Sequence, residues 1–257
     1  MNKHYFFFDI DGTLTDDATH LIVPSAADAL NRLQENGNFI AIATGRVHYK
    51  AKTFTDSIGV HNIVCSGGGC LVSNDRILEN RSLDHDKCIA LLENADSHHI
   101  GWILILDDSD KVYMRDYRFL EQAGLRTELT TYKFEPDMDY HDLSNIYKIY
   151  LAISPEDEKR YDWLNTIAFL RMGKNYCVFQ YDEKNIGIER MMHLLEAPIE
   201  DAVIFGDGKN DLIMFDPRWT SIAMGNGIPA LKEKADYVTT ANVNDGIINA
   251  CRHFGWL

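Results

Sequence analysis

Phe6-Phe7-Phe8-Asp9-Ile10-Asp11-Gly12-Thr13 sets two carboxylates two residues apart, where an apolar strand runs into a glycine turn. Residues 5–8 form a near-continuous apolar run, the pattern of a strand covered on both faces. Side chains alternate along a strand, so Asp9 and Asp11 start on one face and the turn aims both groups into the same space. Two carboxylates held that close need a cation or a shared proton.

Outward from this stretch, the first third of the chain alternates helix and strand signals. Ser25, with Asp28 three residues on, opens a helix whose Ala29, Leu30 and Leu33 share a stripe and which Gly37 closes. A strand is expected over 39–43, a helix over 47–58 and a strand over 62–65. The last third resumes the pattern: a helix over 186–196, a strand over 202–205, a helix from Asp211 and a strand near Ile222. A helix over 229–235, a strand over 237–239 and a final helix from Asp245 follow. Such alternation predicts an α/β fold with a Rossmann-like parallel sheet.

Residues 84–183 read differently. Segments 102–106 and 111–114 flank Asp107-Asp108-Ser109-Asp110 as an antiparallel hairpin, and 146–153 and 176–180 are further strands. Ser154 as N-cap and Pro155 at the first position open a helix expected to run to Met172, with Gly173 ending it. The expected organisation is a core of residues 1–83 and 184–257 interrupted by an α+β insert, residues 84–183.

A formal net charge of −14 and the absence of a long Lys/Arg cluster argue against nucleic-acid or anionic-membrane partners. Any anionic substrate must be drawn in by a local cation. The five cysteines, at 65, 70, 88, 177 and 251, show no CxxC spacing, so neither a disulfide framework nor a zinc site is indicated and a reducing cytoplasm is expected. No run of about 18 apolar residues and no leader pattern is present, so no membrane span is expected.

Ligands of an open parallel sheet bind outside the carboxyl ends of its strands. The expected strands end in Asp9-Ile10-Asp11-Gly12-Thr13, Thr44-Gly45-Arg46, Ser66-Gly67-Gly68-Gly69 and Gly206-Asp207-Gly208-Lys209-Asn210-Asp211. As parallel neighbours they would converge on a site with Asp9, Asp11, Asp207, Asp211 and Thr44. A hard divalent cation with oxygen ligands, Mg²⁺ above all, resolves that crowding and points to phosphoryl chemistry.

Four of these features, in order, resemble the motifs of the haloacid dehalogenase superfamily: Asp9-x-Asp11-Gly-Thr, Thr44-Gly45-Arg46, Lys184 with Gly187, and Gly206-Asp207-Gly208-Lys209-Asn210-Asp211. Met224-Gly225-Asn226-Gly227, Ala235-Asp236-Tyr237-Val238-Thr239 and Asp245-Gly246-Ile247 resemble the tail of its Cof-type sugar-phosphatase branch, whose large cap matches the insert in position, size and α+β pattern. Ser66-Gly67-Gly68 departs from the Asn-Gly-Ala of many relatives, and Asn185 stands where Gly is common.

The resemblance implies a Mg²⁺-dependent phosphatase acting on a small phosphorylated metabolite through an aspartyl-phosphate. Asp9 would be the nucleophile and Asp11 the general acid and base. Asp9, Asp11 through its backbone carbonyl, and Asp207 would hold the metal, with Asp211 and Asn210 completing or orienting its shell. Thr44, the Gly45 amide and Lys184 would bind the phosphoryl oxygens, with Asn210 beside them. The cap would close over the substrate and set specificity. Two alternatives stand beside this reading. A sugar phosphomutase needs a second phosphate site in the insert, for which Arg115, Arg118, Arg126 and Lys148 are candidates. A non-catalytic phosphometabolite-binding or signalling module would be expected to lack one of the catalytic groups, and none is missing.

Overall fold

The structure is a computed structural model that describes residues 3–126 and 128–257. Strands β1 (Tyr5–Phe8), β2 (Phe39–Ala43) and β3 (Ile63–Cys65) alternate with helices α1 (Pro24–Glu35) and α2 (His48–Ser57). A hairpin of β4 (Cys70–Ser73) and β5 (Arg76–Asn80) follows. The next elements are α3 (His85–Ser97), β6 (Trp102–Ile105), β7 (Lys111–Met114), α4 (Arg118–Ala123), β8 (Thr131–Phe134), β9 (Lys148–Leu151), α5 (Pro155–Arg160), β10 (Phe169–Arg171) and β11 (Cys177–Phe179). The chain then runs through α6 (Lys184–Leu194), β12 (Ala202–Gly206), β13 (Thr220–Ala223), α7 (Pro229–Lys234), β14 (Tyr237–Val238) and α8 (Gly246–His253).

Two compact units result, one of the described residues up to Asn80 with Glu183–Leu257, the other of Arg81–Asp182. In the first, eight strands lie in the order β14-β13-β12-β1-β2-β3-β4-β5, parallel from β14 through β3 and antiparallel across the β3-β4-β5 edge. β1 lies between β12 and β2, with Phe8 opposite Phe205 on one side and Ile42 on the other. Its period-two alternation divides the core. Phe6 and Phe8 pack with α1 and α8 residues such as Leu30, Leu33, Ile247 and Ala250, while Tyr5 and Phe7 pack with Ile188, Met191 and Met192 of α6 and Leu231 of α7. Both faces are covered, as an all-apolar central strand requires.

In the second unit a six-stranded sheet, β10-β11-β9-β6-β7-β8, packs Leu104, Ile149, Leu151, Cys177 and Phe179 against Cys88, Leu91, Leu92 and Ala95 of α3. This unit has a core of its own.

Three local expectations change. The helix opened by Ser154 ends at Arg160; a 3₁₀ turn, Asp162–Thr166, and strand β10 occupy the span that was expected to continue to Met172. Burial explains it: no residue of α5 is buried, so nothing holds a longer helix down, whereas β10 pairs with β11. Helix α1 starts one residue before Ser25, with Pro24 in its first turn and Val23 as N-cap without a side-chain bond. The segment at Asp211 is a 3₁₀ turn, Lys209–Met214, rather than an α-helix.

Candidate active site

The register carries the chemistry-bearing loops to one edge. Asp9 directly follows β1, and its amide donates to the Phe205 carbonyl of β12 (3.1 Å). Thr44 directly follows β2, and its amide donates to the Val64 carbonyl of β3 (2.8 Å). The Asp207 loop leaves β12 beside them, so the neighbours of β1 deliver their loops to its carboxyl end.

At the centre is Lys184, in the first turn of α6 and only 2% exposed; its Nζ donates to Asp9 Oδ1 (2.7 Å) and Asp211 Oδ1 (2.8 Å). Asp9 and Asp211 are themselves buried. Burial opposes the lysine charge, yet Asp211 and Asp9 outweigh it, and the ammonium pKa stands above its ordinary value. For Asp9, burial first and the charge of Asp211 next raise the carboxyl pKa; Lys184 pulls the other way and Asp207 adds to the rise.

Asp211 is saturated. Its Oδ2 accepts from the amides of Asp207 (3.1 Å) and Gly208 (2.9 Å), and its Oδ1 accepts from Lys184 and from Asn210 Nδ2 (3.1 Å). That pattern folds the Gly206–Asp211 loop onto its own last carboxylate. Asp207 points into the cluster, where Thr13 Oγ1 donates to its Oδ1 (2.7 Å). Burial first, then Asp211 and Asp17, push Asp207 up to about 6 against the Thr13 hydrogen bond and Lys184. Asp9, Asp207 and Asp211 each offer an oxygen within 4.8 Å of the others, the donor set a hard cation takes.

Glycines make this closeness possible. Gly12 has φ +81°, and a Cβ there would stand 2.2 Å from Asp207 Oδ2. A Cβ on Gly187 would stand 2.6 Å from Val64 Cγ1 and 2.8 Å from Gly68 Cα, so only glycine lets α6 approach closely enough for Lys184 to reach Asp9.

Other expected residues lie at the same edge without joining the carboxylate cluster. Asp11 is exposed, and both its carboxylate oxygens accept from Arg46 Nη2 (2.7 and 3.0 Å). Thr44 is buried with its Oγ1 accepting from the Arg46 amide (3.2 Å), and Gly45 lies between them. Three further residues enter the site's frame unforeseen: Thr13, Asn226 and Asn242. Asn226 Nδ2 donates to the Gly12 carbonyl (2.8 Å), its Oδ1 accepts from the Asn242 amide (3.0 Å), and Asn242 Nδ2 donates to the Thr15 carbonyl (2.7 Å). Met224-Gly225-Asn226-Gly227 was a visible signal for Asn226; nothing local marked Thr13 as the partner of a residue 194 positions away.

In the insert, Arg115, Arg118 and Arg126, considered for a second phosphate site, are engaged by carboxylates. Arg115 and Arg118 meet Asp96 (2.8 Å each), Arg118 also meets Asp116 (2.6 Å), and Arg126 meets Glu128 (2.5 Å). Lys148 Nζ donates to Gln180 Oε1 (2.5 Å).

The chain matches the haloacid dehalogenase-like hydrolases over residues 6–251. It is 30% identical over 259 residues, 100% of both chains, to YkrA of Bacillus subtilis (strain 168), a protein classed with the phosphatases. To the 5-amino-6-(5-phospho-D-ribitylamino)uracil phosphatase YcsE of the same organism it is 25% identical over 249 residues, 96% of this chain and 93% of the other. A crystal structure of a protein from Geobacillus kaustophilus HTA426 superposes with a TM-score of 0.85 at 26% identity, covering 100% of both chains. No helix among the described residues is long and apolar enough to cross a membrane.

Proposed function

The chain belongs to the haloacid dehalogenase-like hydrolases, as a Cof-type phosphoric monoester hydrolase, and from that premise we propose that it hydrolyses a small phosphorylated metabolite, with Asp9 as nucleophile and Mg²⁺ as its cation. The observation that carries this reading is the buried Lys184, bonded to both Asp9 and Asp211 inside a cluster of three carboxylates. A structural ion pair needs one acid; three acids around one lysine leave negative charge uncompensated.

The donors fit Mg²⁺: they are all oxygens, and burial has already raised Asp9 and Asp207 toward protonation in the metal's absence. Asp9, Asp207 and the backbone carbonyl of Asp11 would hold it, while Asp211, whose oxygens are taken by four donors, fixes the loop. Bound there, Mg²⁺ would neutralise charge on the phosphoryl group and on Asp9.

An Asp9 carboxylate oxygen attacks phosphorus in line, the ester P–O bond breaks, and Asp11 gives its proton to the departing oxygen. Water then attacks the phosphorus of the aspartyl-phosphate, Asp11 takes up its proton, and phosphate leaves as the Asp9 carboxylate is regenerated. For this Asp11 must leave Arg46, a half-exposed pairing that costs little to break. Lys184, Thr44 and the Gly45 amide hold the phosphoryl oxygens. The insert is assigned substrate choice, and a sugar phosphate or phosphorylated cofactor is the substrate class, in keeping with the phosphorylated ribityl compound in the name of YcsE.

Asp9→Asn tests the reading. With Mg²⁺ and p-nitrophenyl phosphate, phosphate release should be abolished while the circular dichroism spectrum and melting temperature are kept. Substantial turnover by the variant would remove Asp9 from the nucleophile's role. A panel of phosphorylated metabolites, read by released phosphate, identifies the substrate.

A further inference from the structure

All five cysteines are thiols in the structure, and two of them face each other. In the antiparallel β3–β4 pair Cys65 is registered directly opposite Cys70. Opposed residues share a face, and both side chains enter the same half of the core, as the next same-face pair, Ile63 and Val72, does. Opposed Cα atoms of an antiparallel pair lie about 4.5–5.5 Å apart. A disulfide spans Cα separations of about 4.4–6.8 Å, so the strands need not move for one to form. Cysteine spacing along the sequence hides the pair because the residues between, Ser66-Gly67-Gly68-Gly69, form a reversing turn.

That turn is part of the active site's support. The Gly67 amide donates to the Thr44 carbonyl (3.2 Å), and the Glu183 amide, next to Lys184, donates to the Gly67 carbonyl (2.8 Å). Gly68 touches α6 so closely that a Cβ on it would lie 2.2 Å from the Glu183 carbonyl oxygen. Both sulfurs are shielded, so an oxidant reaches them when the turn opens. Three consecutive residues, Ser66 (φ 52°), Gly67 (64°) and Gly68 (101°), hold left-handed backbone angles, and Ser66 does so without glycine's freedom.

We propose that Cys65 and Cys70 are a dithiol pair that closes reversibly into a disulfide at the neck of the Ser66–Gly69 turn and makes the phosphatase redox-sensitive. Hydrogen peroxide is the oxidant. It converts one thiol to a sulfenic acid with release of water; the second sulfur attacks, the S–S bond forms as the S–O bond breaks, and a second water leaves. Two thiols are oxidised while one peroxide is reduced to two waters. The closed bond clamps the turn on which Thr44 and the start of α6 rest, and activity falls.

The test treats the reduced full-length chain with hydrogen peroxide and combines thiol titration under denaturing conditions, peptide mapping by mass spectrometry and p-nitrophenyl phosphate hydrolysis with Mg²⁺. The expected result is loss of two thiols, one cross-link joining residues 65 and 70, and loss of most of the hydrolysis rate, all reversed by dithiothreitol. Cys251→Ser should respond as the parent does, and Cys70→Ser should not. Retention of all five thiols, a cross-link elsewhere, or the 65–70 cross-link with an unchanged rate would overturn the inference. The activity part rests on the phosphatase reading, and the rate before oxidation separates a failure of that reading from a failure of this one.

Discussion

Lys184 sets the charge balance of the site. Removing one partner of a buried ion pair costs about 3–5 kcal/mol, because the remaining charge has neither water nor counter-ion. Lys184→Met keeps the apolar stem, so its cost isolates the charge; urea unfolding should register a loss of about 3 kcal/mol together with loss of activity. Asp207 supplies a second residue-scale prediction. Its carboxyl is raised from 3.8 to about 6 in the fold, so the metal-free protein is favoured below the unfolded value and loses that contribution as pH rises through about 6. Melting temperature without metal should therefore fall between about pH 4 and about pH 7, by the equivalent of on the order of 2 kcal/mol, and added Mg²⁺ should restore more at the upper end. A metal-independent, flat profile would show that Asp207 does not face the cation. Residues of this kind were visible in the chain because Asp9, Asp207 and Lys184 stand at strand ends or helix starts with flanking glycines. Thr13 and Arg46 were not assigned their partners: a threonine hydroxyl and a guanidinium find carboxylates through side-chain direction in three dimensions, which no local spacing encodes.

At the scale of elements, Gly187 is where packing decides chemistry. A methyl group at this position meets Val64 and the backbone of Gly68, and overpacking of that kind costs about 1–3 kcal/mol. Gly187→Ala should lower stability by about 2 kcal/mol. Hydrolysis should fall more than that figure explains, since α6 would shift Lys184 off Asp9; a rate loss no larger than the unfolded fraction would refute the coupling. Strands β1, β2 and β12 were readable because full burial on both faces leaves unbroken apolar runs. The β4–β5 hairpin was missed. Its outer strand, Arg-Ile-Leu-Glu-Asn, is half-exposed and lacks alternation, and its reversal uses Asn74 and Asp75 at positive φ without a glycine. Helix α3 also went unassigned, although Asp84 caps it by accepting from the Lys87 amide and Cys88, Leu91, Leu92 and Ala95 form its buried stripe. In α5 the capping signal at Ser154 was right and the length was wrong, because caps mark where helices start and tertiary contacts mark where they stop.

For the whole molecule, the insert's separate core predicts independent folding. The segment Arg81–Asp182, expressed alone, should give a mixed α/β circular dichroism spectrum and a cooperative melt; a spectrum of unfolded chain would show that its stability is borrowed. The catalytic unit has the opposite property, being assembled from both ends of the chain. β1 needs β12 as its neighbour, and the Gly12 and Thr15 carbonyls need Asn226 and Asn242. On a translating ribosome, which emits the chain from its N-terminus, Asp9 therefore waits for some two hundred residues before both Lys184 and Asp207 exist. Until then Phe6-Phe7-Phe8 presents an unpaired strand edge to whatever is nearby. A nascent chain of this protein is thus adhesive before it is reactive, and that exposed edge should close only when β12 leaves the exit tunnel.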